Sequence, residues 1–220
     1  HGNSIAFTAD GNLVYSARHQ DWLIKISYDN GNGDGHIVWR LGKDGDFAAP
    51  AGSIDPWFSH QHDGNFDPTD PTRLLVFDNG NTRVAKNGPS FSRGLALHLD
   101  EKNMTVSFDL NVYLGVFSAA VGTAQKLDNG NYHFDAGFVM QPDKSIQSYS
   151  FEVNPSGVIV GFAKQTGGDI EAARKLLREK GMASAGKRAG RETTEGRVAV
   201  SIGSDHATIV AIGPLTDVAC

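Results

Sequence analysis

From residue 1 to about residue 164, the sequence consists of short apolar runs that alternate with turn signals. Runs such as NLVYSA, LIKISY, RLLVFD and SYSFEV are separated by segments such as ADGN, DNGNGDG, LDNGN and NPSG. Asn-Gly and Asp-Gly supply the positive φ angles that tight hairpin turns require. No segment of this part has a helical period, so the pattern predicts a mainly β fold that is built from hairpins.

The strand pattern repeats loosely three times, over residues 1–42, 59–112 and 117–164. Each unit holds about four strands in roughly 40 to 55 residues, which is the size of one β-propeller blade. We therefore predict a partial β-propeller of about three four-stranded blades. A β-sandwich with similar strand spacing is the alternative that the periodicity leaves open.

The pattern changes after residue 164. GGDIEAARKLLREKG favours a helix with Asp169 as its N-cap, and GRVAVSIGSDHATIVAIG predicts a β-hairpin. Residues 1–164 carry 12 basic and 18 acidic side chains, whereas residues 165–220 carry 8 and 7. We predict a boundary here, with a β-propeller part over 1–164 and a small α+β tail over 165–220.

Composition narrows the classes of function. A hydrophobic share of 40% and a charged share of 20% are typical of a globular protein. The net charge of -5 disfavours an electrostatic nucleic-acid binder, and no run approaches the roughly 18 apolar residues of a membrane span. One cysteine, Cys220, excludes a disulfide scaffold and a cysteine metal site. The start at His1, without a signal-peptide pattern, leads us to expect a fragment.

Four histidines stand where the strand units begin or end. They are His1 in HGNSI, His60 and His62 in FSHQHD, and His133 in NGNYHF. His60 and His62 are two residues apart, so they share one face of an extended chain. In a propeller, such positions converge on the central channel, which would bring these side chains together.

Asn3, Asn79, Asn81 and Arg83 accompany these histidines. The planar guanidinium of Arg83 matches the oxygens of sulfate or phosphate. Imidazoles donate hydrogen bonds, exchange protons and act as nucleophiles. The residue types leave an oxyanion site, a metal site at HQHD and purely structural histidines all open.

Residues 1–164 resemble the bacterial arylsulfotransferase family. The motifs that carry the resemblance are HGNSI, SARHQDWLIKI, IVWRLGKDGDF, WFSHQHD, VFDNGNTR, SRG, LDE and GTAQKLDNGNYHF, in the family's order. The resemblance implies a six-bladed propeller with its active site at the central channel. It also implies transfer of a sulfuryl group from a phenolic sulfate ester to an acceptor phenol, through a sulfated histidine and without a nucleotide sulfate or other cofactor.

The resemblance assigns roles to individual residues. The histidine of HxNSI falls on His1, that of QHD on His62, and the arginine after FDNG on Arg83. The best available position for the nucleophilic histidine is His133. Those four are the predicted catalytic residues, and the predicted substrate-binding residues are His60, Asn3, Asn79, Asn81 and Trp57. No metal ligand is assigned, and the expected location is periplasmic or extracellular.

Residues 167–219 resemble a second family, the translation elongation factor Ts, through GGDIEAARKLLREKGMASAGKRAGRETTEGRVAVSIG and TDVAC. This resemblance implies guanine-nucleotide exchange on elongation factor Tu in the cytoplasm. The sequence departs from the family where Val218 follows Asp217, because the family has a phenylalanine there. Alternatives to sulfuryl transfer are therefore an exchange segment that binds elongation factor Tu, or a metal-dependent propeller hydrolase. The combination predicts a chimera of two families.

Overall fold

The computed structural model of the chain describes residues 1–86, 88, 90–165, 198–202 and 207–211. The first part folds into three four-stranded antiparallel sheets, and in each sheet the strands follow one another in chain order. Sheet 1 contains β1 (Gly2–Phe7), β2 (Leu13–Ala17), β3 (Trp22–Ile26) and β4 (Ile37–Gly42). Sheet 2 contains β5 (His62–Asp67), β6 (Asp70–Asp78), β7 (Arg93–Asp100) and β8 (Thr105–Tyr113). Sheet 3 contains β9 (Thr123–Lys126), β10 (Tyr132–Met140), β11 (Ile146–Val153) and β12 (Ile159–Gln165).

The three sheets coincide with the three predicted sequence units, so the prediction of a mainly β, partly propeller-like fold is confirmed. The Asn-Gly and Ser-Gly turns behave as expected, since Gly130 and Gly157 close hairpins with φ angles of 86° and 80°. One short helix, α1 (Asn81–Ala85), was not predicted, because five residues are too few to show a helical period.

In the tail, β13 (Val198–Ile202) pairs antiparallel with β14 (Ala207–Ala211), which confirms the predicted hairpin. The predicted helix that begins after Asp169 lies outside the described residues. Within the described ranges, no helix combines the length and the apolar character that a membrane crossing requires.

Strand β6 shows why the middle sheet packs as a blade. Its run Leu74–Phe77 is buried at every position. Leu74 and Val76 belong to the core cluster shared with sheet 1, whereas Leu75 and Phe77 belong to the cluster shared with sheet 3. A sheet with both faces covered needs a continuous apolar run rather than alternation. The stacking of three sheets face to face favours propeller blades over the two-layered sandwich.

The first strands of neighbouring sheets lie side by side. The side chain of Asn3 in β1 donates to the carbonyl of Gln61, just before β5, at 2.7 Å. The carboxylate of Asp63 in β5 accepts from the backbone N–H of Ala124 in β9 at 2.9 Å. The ends at which β1, β5 and β9 begin therefore meet, and this is where the motif histidines are concentrated.

The packing of sheet 2 on sheet 3 leads to the first prediction. A Cβ atom added to Gly94 would lie 2.5 Å from the ring of Phe134, which is fully buried. We expect Gly94→Ala to lower the free energy of unfolding by about 1–3 kcal/mol, because overpacking a close-packed core forces side chains from their rotamers. Urea denaturation measures the change.

The double variant Gly94→Ala/Phe134→Leu is the matched control. If the clash with Phe134 is the cause, the smaller leucine makes room and the two changes cost less together than the sum of the single changes. Simple additivity of the two losses would contradict this explanation.

Candidate active site

His62, the first residue of β5, is buried and has a fixed ring orientation. Its Nδ1 lies 2.7 Å from Oδ1 of Asn79. The amide nitrogen of Asn79 donates to the carbonyls of Ser118 and Val121 at 2.8 and 3.1 Å. Because that nitrogen must face two carbonyls, Oδ1 faces the ring and Nδ1 must carry the proton. The lone pair of neutral His62 is therefore on Nε2.

The backbone N–H of Val121 donates to this Nε2 atom at 3.2 Å. Val121 has a φ angle of 50°, in the left-handed region that β-branched residues rarely adopt. Backbone strain of this kind persists only where the surrounding structure enforces it. Here the side chain of Asn79 holds the loop through the Ser118 and Val121 carbonyls, and thereby holds the Val121 N–H against the imidazole.

The surroundings of His62 keep its ring neutral. Burial lowers the pKa of His62 below its usual value, the hydrogen bond that its Nδ1–H donates to Asn79 opposes that effect, and the positive charge of Arg18 adds to the lowering. A neutral imidazole with one fixed proton and one lone pair has the form required of a nucleophile.

Arg18 follows β2 and lies next to the motif that contains His1. The backbone N–H of Arg18 donates to the carbonyl of His1 at 3.0 Å. Its Nη2 atom donates to the carbonyl of Ala119 at 2.9 Å, and the side-chain amide of Asn81 donates to the same carbonyl at 3.0 Å. The guanidinium of Arg18 thus shares an acceptor with the predicted residue Asn81 and is within electrostatic range of His62, whereas the backbone of Arg18 bonds to His1.

Two further histidine rings continue this group. The ring of His1 lies edge-on to that of His19 with centroids 4.3 Å apart, and His19 lies 5.8 Å from the ring of His60. Desolvation lowers the pKa of His19, although this residue is exposed, and the charges of Arg18 and His60 lower it further. The structure therefore brings together the predicted residues His1, His60, His62, Asn3, Asn79 and Asn81.

Asp21 organises the His60 end of the group. One carboxylate oxygen accepts from the backbone N–H of His60 at 2.6 Å and lies 3.1 Å from its Nδ1. The other accepts from the hydroxyl of Thr82 at 3.2 Å. Asp21 and His60 have φ angles of 55° and 53°, so both stand in the sparsely populated left-handed region. The pair places an imidazole next to a carboxylate.

Buried polar atoms without a hydrogen-bond partner are concentrated in this region. Among the described residues they are Asn3 Oδ1, Ser4 Oγ, His60 Nδ1, Gln61 Oε1, Asn81 Oδ1, Arg83 Nε and Trp39 Nε1. Such atoms are rare in folded proteins, and each one needs an explanation. All except Trp39 belong to HGNSI, WFSHQHD or VFDNGNTR, the motifs that hold most of the predicted site residues.

Arg83, the predicted guanidinium, is engaged elsewhere. Its Nη1 donates to Asp55 and Asp78 at 2.9 and 3.1 Å, and its Nη2 donates to the carbonyl of Phe91 at 2.9 Å. Arg93 donates to the same Asp78 at 2.7 Å, and both side chains of that pair are fully buried. Arg83 thus belongs to a buried ion-pair cluster, and Arg18 is the guanidinium beside the histidines.

His133 lies on a different face of the structure. Its neighbours Tyr132 and Phe134 in β10 pack into the core between sheets 2 and 3. Alternation along the strand turns His133 to the opposite face of sheet 3, where its Nε2 pairs with the hydroxyl of Ser150. Burial lowers its pKa, while Glu152 opposes that effect. The structure does not bring His133 together with the other predicted residues.

Trp57 and the HQHD motif complete the set of predicted residues. The indole of Trp57 packs against the core between sheets 1 and 2, and its carbonyl accepts from Nη2 of Arg93 at 2.9 Å. In the part of the chain that the structure describes, no group of three or more His, Cys, Asp or Glu residues is arranged to hold a metal ion. The carboxylate of Asp63 instead bonds to the Ala124 N–H.

Sequence reasoning missed Arg18, Asp21 and Gln61. The signal for the first two is the position of RHQD, which follows strand β2 just as the polar residues of FDNGN follow β6. Gln61 is fully buried and donates to Ser16 and to the carbonyl of Trp22 at 3.2 and 2.9 Å. The contacts of a single glutamine between two sheets do not change the apolar–polar pattern of the sequence, so the pattern does not reveal them.

The fold and the site define a class of protein: a propeller-like β protein with a buried histidine, further histidines, asparagines and an arginine where its blades meet. A family model described as Arylsulfotransferase (ASST) matches residues 1–173. The chain belongs to the arylsulfotransferase family.

A second similarity covers a smaller part of the chain. Elongation factor Ts of Methylorubrum populi is 49% identical over 57 residues, which are 26% of this chain and 19% of that protein. The chloroplastic polyprotein of EF-Ts of rice, Oryza sativa subsp. indica, is 48% identical over 56 residues, which are 26% of this chain and 4% of that protein. The chain thus spans less than a fifth of these curated relatives. Both predicted resemblances are confirmed.

Among solved structures, a Thermus thermophilus protein described as an oxidoreductase (glucose dehydrogenase) is similar to this chain. The two share 15% sequence identity and a TM-score of 0.49, over 96% of this chain and 62% of that protein. At this similarity, neither the fold nor the activity of that protein transfers to the present chain.

The buried ion-pair cluster leads to the second prediction. Asp78→Asn removes the carboxylate that Arg83 and Arg93 share. We expect a loss of about 3–5 kcal/mol in the free energy of unfolding, because a buried cation is left without its partner. Urea denaturation measures the loss.

Asp109→Asn is the matched control, since Asp109 accepts from Arg73 at 2.7 Å but both side chains are partly exposed. Exposed pairs contribute at most about 1 kcal/mol. If the two variants lose the same free energy of unfolding, burial of the Asp78 cluster does not add to its stabilising effect.

The third prediction concerns pH. The folded pKa of His62 lies below the unfolded value of about 6.5. The unfolded state therefore binds the proton more readily, and stability falls as the pH drops below about 6.5 until the folded pKa is reached. His62→Gln removes this dependence, so we expect the stability gap between wild type and His62→Gln to narrow between pH 7.5 and pH 5.

Urea denaturation at the two pH values measures the gap, and His98→Gln at an exposed strand position controls for loss of a histidine as such. A gap that stays constant or widens on acidification would contradict the neutral, desolvated state of His62.

Proposed function

We propose that this chain carries the histidine site of an enzyme that transfers a sulfuryl group from a phenolic sulfate ester to an acceptor phenol through a sulfated histidine. Membership of the arylsulfotransferase family supports the reaction class. The observation that carries the proposal is the fixed tautomer of His62, in which Nδ1–H donates to Asn79 and the lone pair of Nε2 accepts from the Val121 N–H. The proposed location is the periplasm or the cell exterior.

His62 fits the role of nucleophile better than His133. In the first step, the hydrogen bond from the Val121 N–H to Nε2 of His62 opens and Nε2 attacks sulfur. The bond from sulfur to the phenolic oxygen breaks, and the phenolate leaves with the electron pair. In the second step, the oxygen of the acceptor phenol attacks sulfur and the N–S bond breaks. Positive charge on the sulfated ring is stabilised by Asn79, which accepts from the Nδ1–H.

Arg18 and His1 supply what the transition state needs. Sulfuryl transfer, like phosphoryl transfer, places charge on the peripheral oxygens while the bond to the leaving oxygen loosens. Donors aimed at those oxygens lower the barrier most. Arg18 carries a positive charge within electrostatic range of His62, and its backbone N–H donates to the carbonyl of His1. Removal of one such donor typically lowers the rate by a factor of about 10²–10³. We expect a loss of this size when the side chain of Arg18 is removed.

His60 and Asp21 are placed to handle the phenolic proton. The carboxylate of Asp21 lies 3.1 Å from Nδ1 of His60 and accepts from the His60 backbone N–H, which holds His60 in place. In the proposed reaction, His60 gives a proton to the departing phenolate and takes one from the acceptor phenol. This assignment uses His60 as a second imidazole, beside rather than in place of His62.

The fourth prediction tests which histidine carries the sulfuryl group. Incubation with 4-nitrophenyl sulfate is expected to release a burst of 4-nitrophenol and to add the mass of one sulfuryl group to the peptide that contains His62. His62→Gln is expected to abolish both signals, because an amide nitrogen has no nucleophilic lone pair. Stopped-flow absorbance and peptide mass spectrometry are the measurements.

His133→Gln is the matched control, since that ring lies on the opposite face of sheet 3. The burst and the mass gain should survive this change. Loss of both signals in His133→Gln, with their retention in His62→Gln, would reverse the assignment in favour of His133.

The similarity to elongation factor Ts supports a second candidate function. We propose that the segment similar to that family binds elongation factor Tu, on the strength of 49% identity over 57 residues. Val218 stands where the family has a phenylalanine, so we expect binding with little acceleration of GDP release. A pull-down with elongation factor Tu and a fluorescent GDP-release assay separate binding from exchange.

A further inference from the structure

We infer that the peptide unit between Ala120 and Val121 is an autoinhibitory latch, which covers the lone pair of His62 when closed and uncovers it by turning over. The latch is closed in the structure, because the backbone N–H of Val121 donates to Nε2 of His62 at 3.2 Å. A lone pair that accepts this hydrogen bond is not free to attack an electrophile. The latch itself does not require sulfuryl transfer, whereas its control of that reaction rests on the proposed function.

The chain before the latch is fixed at Ala119. The carbonyl of Ala119 accepts from the side chains of Arg18 and Asn81 at 2.9 and 3.0 Å. The backbone N–H of Ala119 donates to the carbonyl of Phe138 in β10 at 3.1 Å. Both polar backbone groups of Ala119 are therefore engaged with other parts of the structure, so any movement of the latch begins after this residue.

The chain after the latch is fixed as well. The carbonyl of Val121 accepts from the side-chain amide of Asn79 at 3.1 Å. Gly122 lies so close to the buried ring of Phe77 that a Cβ atom at this position would overlap the ring. The segment that is able to turn is thus a single peptide unit, which consists of the carbonyl of Ala120 and the N–H of Val121.

The conformation of Val121 favours this movement. Its φ angle is 50° in the closed latch, which is a strained value for a β-branched residue. When a planar peptide unit turns over by half a turn, this angle becomes about −130°, in the β region that valine prefers. The side chain of Val121 is 48% exposed, so the movement does not disrupt the core. Opening the latch therefore relieves backbone strain.

The hydroxyl of Ser118 is placed to bond to the loop in both states. It donates to the carbonyl of Ala120 at 2.7 Å, and it also lies 3.3 Å from the carbonyl of Val121. A hydroxyl has one proton to donate. When the carbonyl of Ala120 turns away, the same proton is available to the carbonyl of Val121, so the hydroxyl retains an acceptor.

The latch is coupled to the protonation of the ring. The N–H and C=O of one peptide unit point in opposite directions, so turning it over replaces the Val121 N–H with the Ala120 carbonyl. Neutral His62 needs the donor and keeps the latch closed, whereas a proton on Nε2 needs the acceptor and opens it.

The titrating group of this switch is the ring of His62. The loop over residues 114–122 carries no ionisable side chain. The charged groups that act on the ring are Arg18, which lowers the pKa of His62, and Asp63, which raises it. The carboxylate of Asp63 is itself held by the backbone N–H of Ala124 at 2.9 Å. Acidification therefore opens the latch through the imidazole and not through the loop.

The first test measures how fast diethyl pyrocarbonate modifies His62 in the full 220-residue chain at pH 7.5. This reagent reacts with the free lone pair of a neutral imidazole, and peptide mass spectrometry gives the rate, with exposed His98 as internal reference. Val121→Asn should react about tenfold more slowly than Val121→Thr, because asparagine tolerates the left-handed region and stabilises the closed latch, whereas threonine is β-branched like valine.

The sign of the difference decides the inference. Equal rates in the two variants, or faster modification in Val121→Asn, would overturn it, because a polar or loosened loop rather than relief of strain would then control access. Absence of any modification of His62 while His98 reacts would also overturn it, since no open state would be reached. Val158→Asn, at an exposed position next to β12, controls for the loss of a valine and should leave the rate unchanged.

The second test follows Val121 by NMR while the His62 ring is titrated with acid. The three-bond coupling between the amide proton and Hα of Val121 reports φ, and it should increase with the same midpoint as the protonation of the ring. His62→Gln removes the titrating group and should abolish this change. A coupling that stays constant while His62 titrates, or that changes equally in His62→Gln, would overturn the link between the latch and the ring.

Kinetics separate the inference from the proposed function. If sulfuryl transfer occurs, the burst of 4-nitrophenol in Val121→Asn should be slower than in Val121→Thr by the same factor as the modification of His62. Equal burst rates in the two variants would overturn the control of the reaction by the latch. If no burst is seen in any variant, the proposed transfer fails, and the modification rates together with the NMR titration decide whether the latch exists.

Discussion

Two adjacent buried residues at the end of β6 hold the site together. Asp78 anchors two arginines and accepts from the backbone N–H of Ser59 at 2.9 Å, which fixes the segment that leads into His60 and His62. Asn79 orients the ring of His62 and holds the loop around Val121. Both side chains are fully buried, so their hydrogen bonds form in surroundings of low dielectric constant, where a broken bond is costly. The chemistry at His62 depends on this rigid pair, because rotation of the Asn79 amide would move the imidazole lone pair.

The sequence predicted the architecture well, because strand runs and Gly turns are local signals. RLLVFD predicts a strand, which is β6, and the structure shows that this strand is covered on both faces. It also predicted most of the residues that meet in space, since His1, Asn3, His62 and Asn79 all stand where strands begin or end. What local patterns do not encode is the partner of a long polar side chain. Arg18 and Arg83 both follow strand ends, and only the tertiary structure shows that Asp55 and Asp78 engage Arg83.

His133 illustrates a second limit of the sequence. Its motif, NGNYHF, places it early in a strand, as FSHQHD does for His62. The two motifs differ in which strand positions face the core. In β10, Tyr132 and Phe134 face the core, so His133 between them must face away from sheet 2. A shift of one residue along a strand moves a side chain to the opposite face of the sheet. Because Tyr, His and Phe all suit a strand, the residues alone do not reveal which face is turned toward sheet 2.

The outer faces of the terminal sheets bear on how the three blades are stabilised. Sheet 1 exposes Ile5 and Phe7, and sheet 3 exposes Phe162, although the inner faces of both sheets are packed. Inner blades cover such faces mutually, as sheet 2 shows with Leu74 and Leu75 on opposite sides. Apolar area that remains in water does not contribute the roughly 25 cal/mol per Å² of stabilisation that its burial would give. The polar site, by contrast, is formed by contacts among the three sheets themselves, through Asn3, Gln61, Asn79 and Val121. The hydrogen bonds that define His62 therefore depend on the junctions between the described sheets and not on their outer faces.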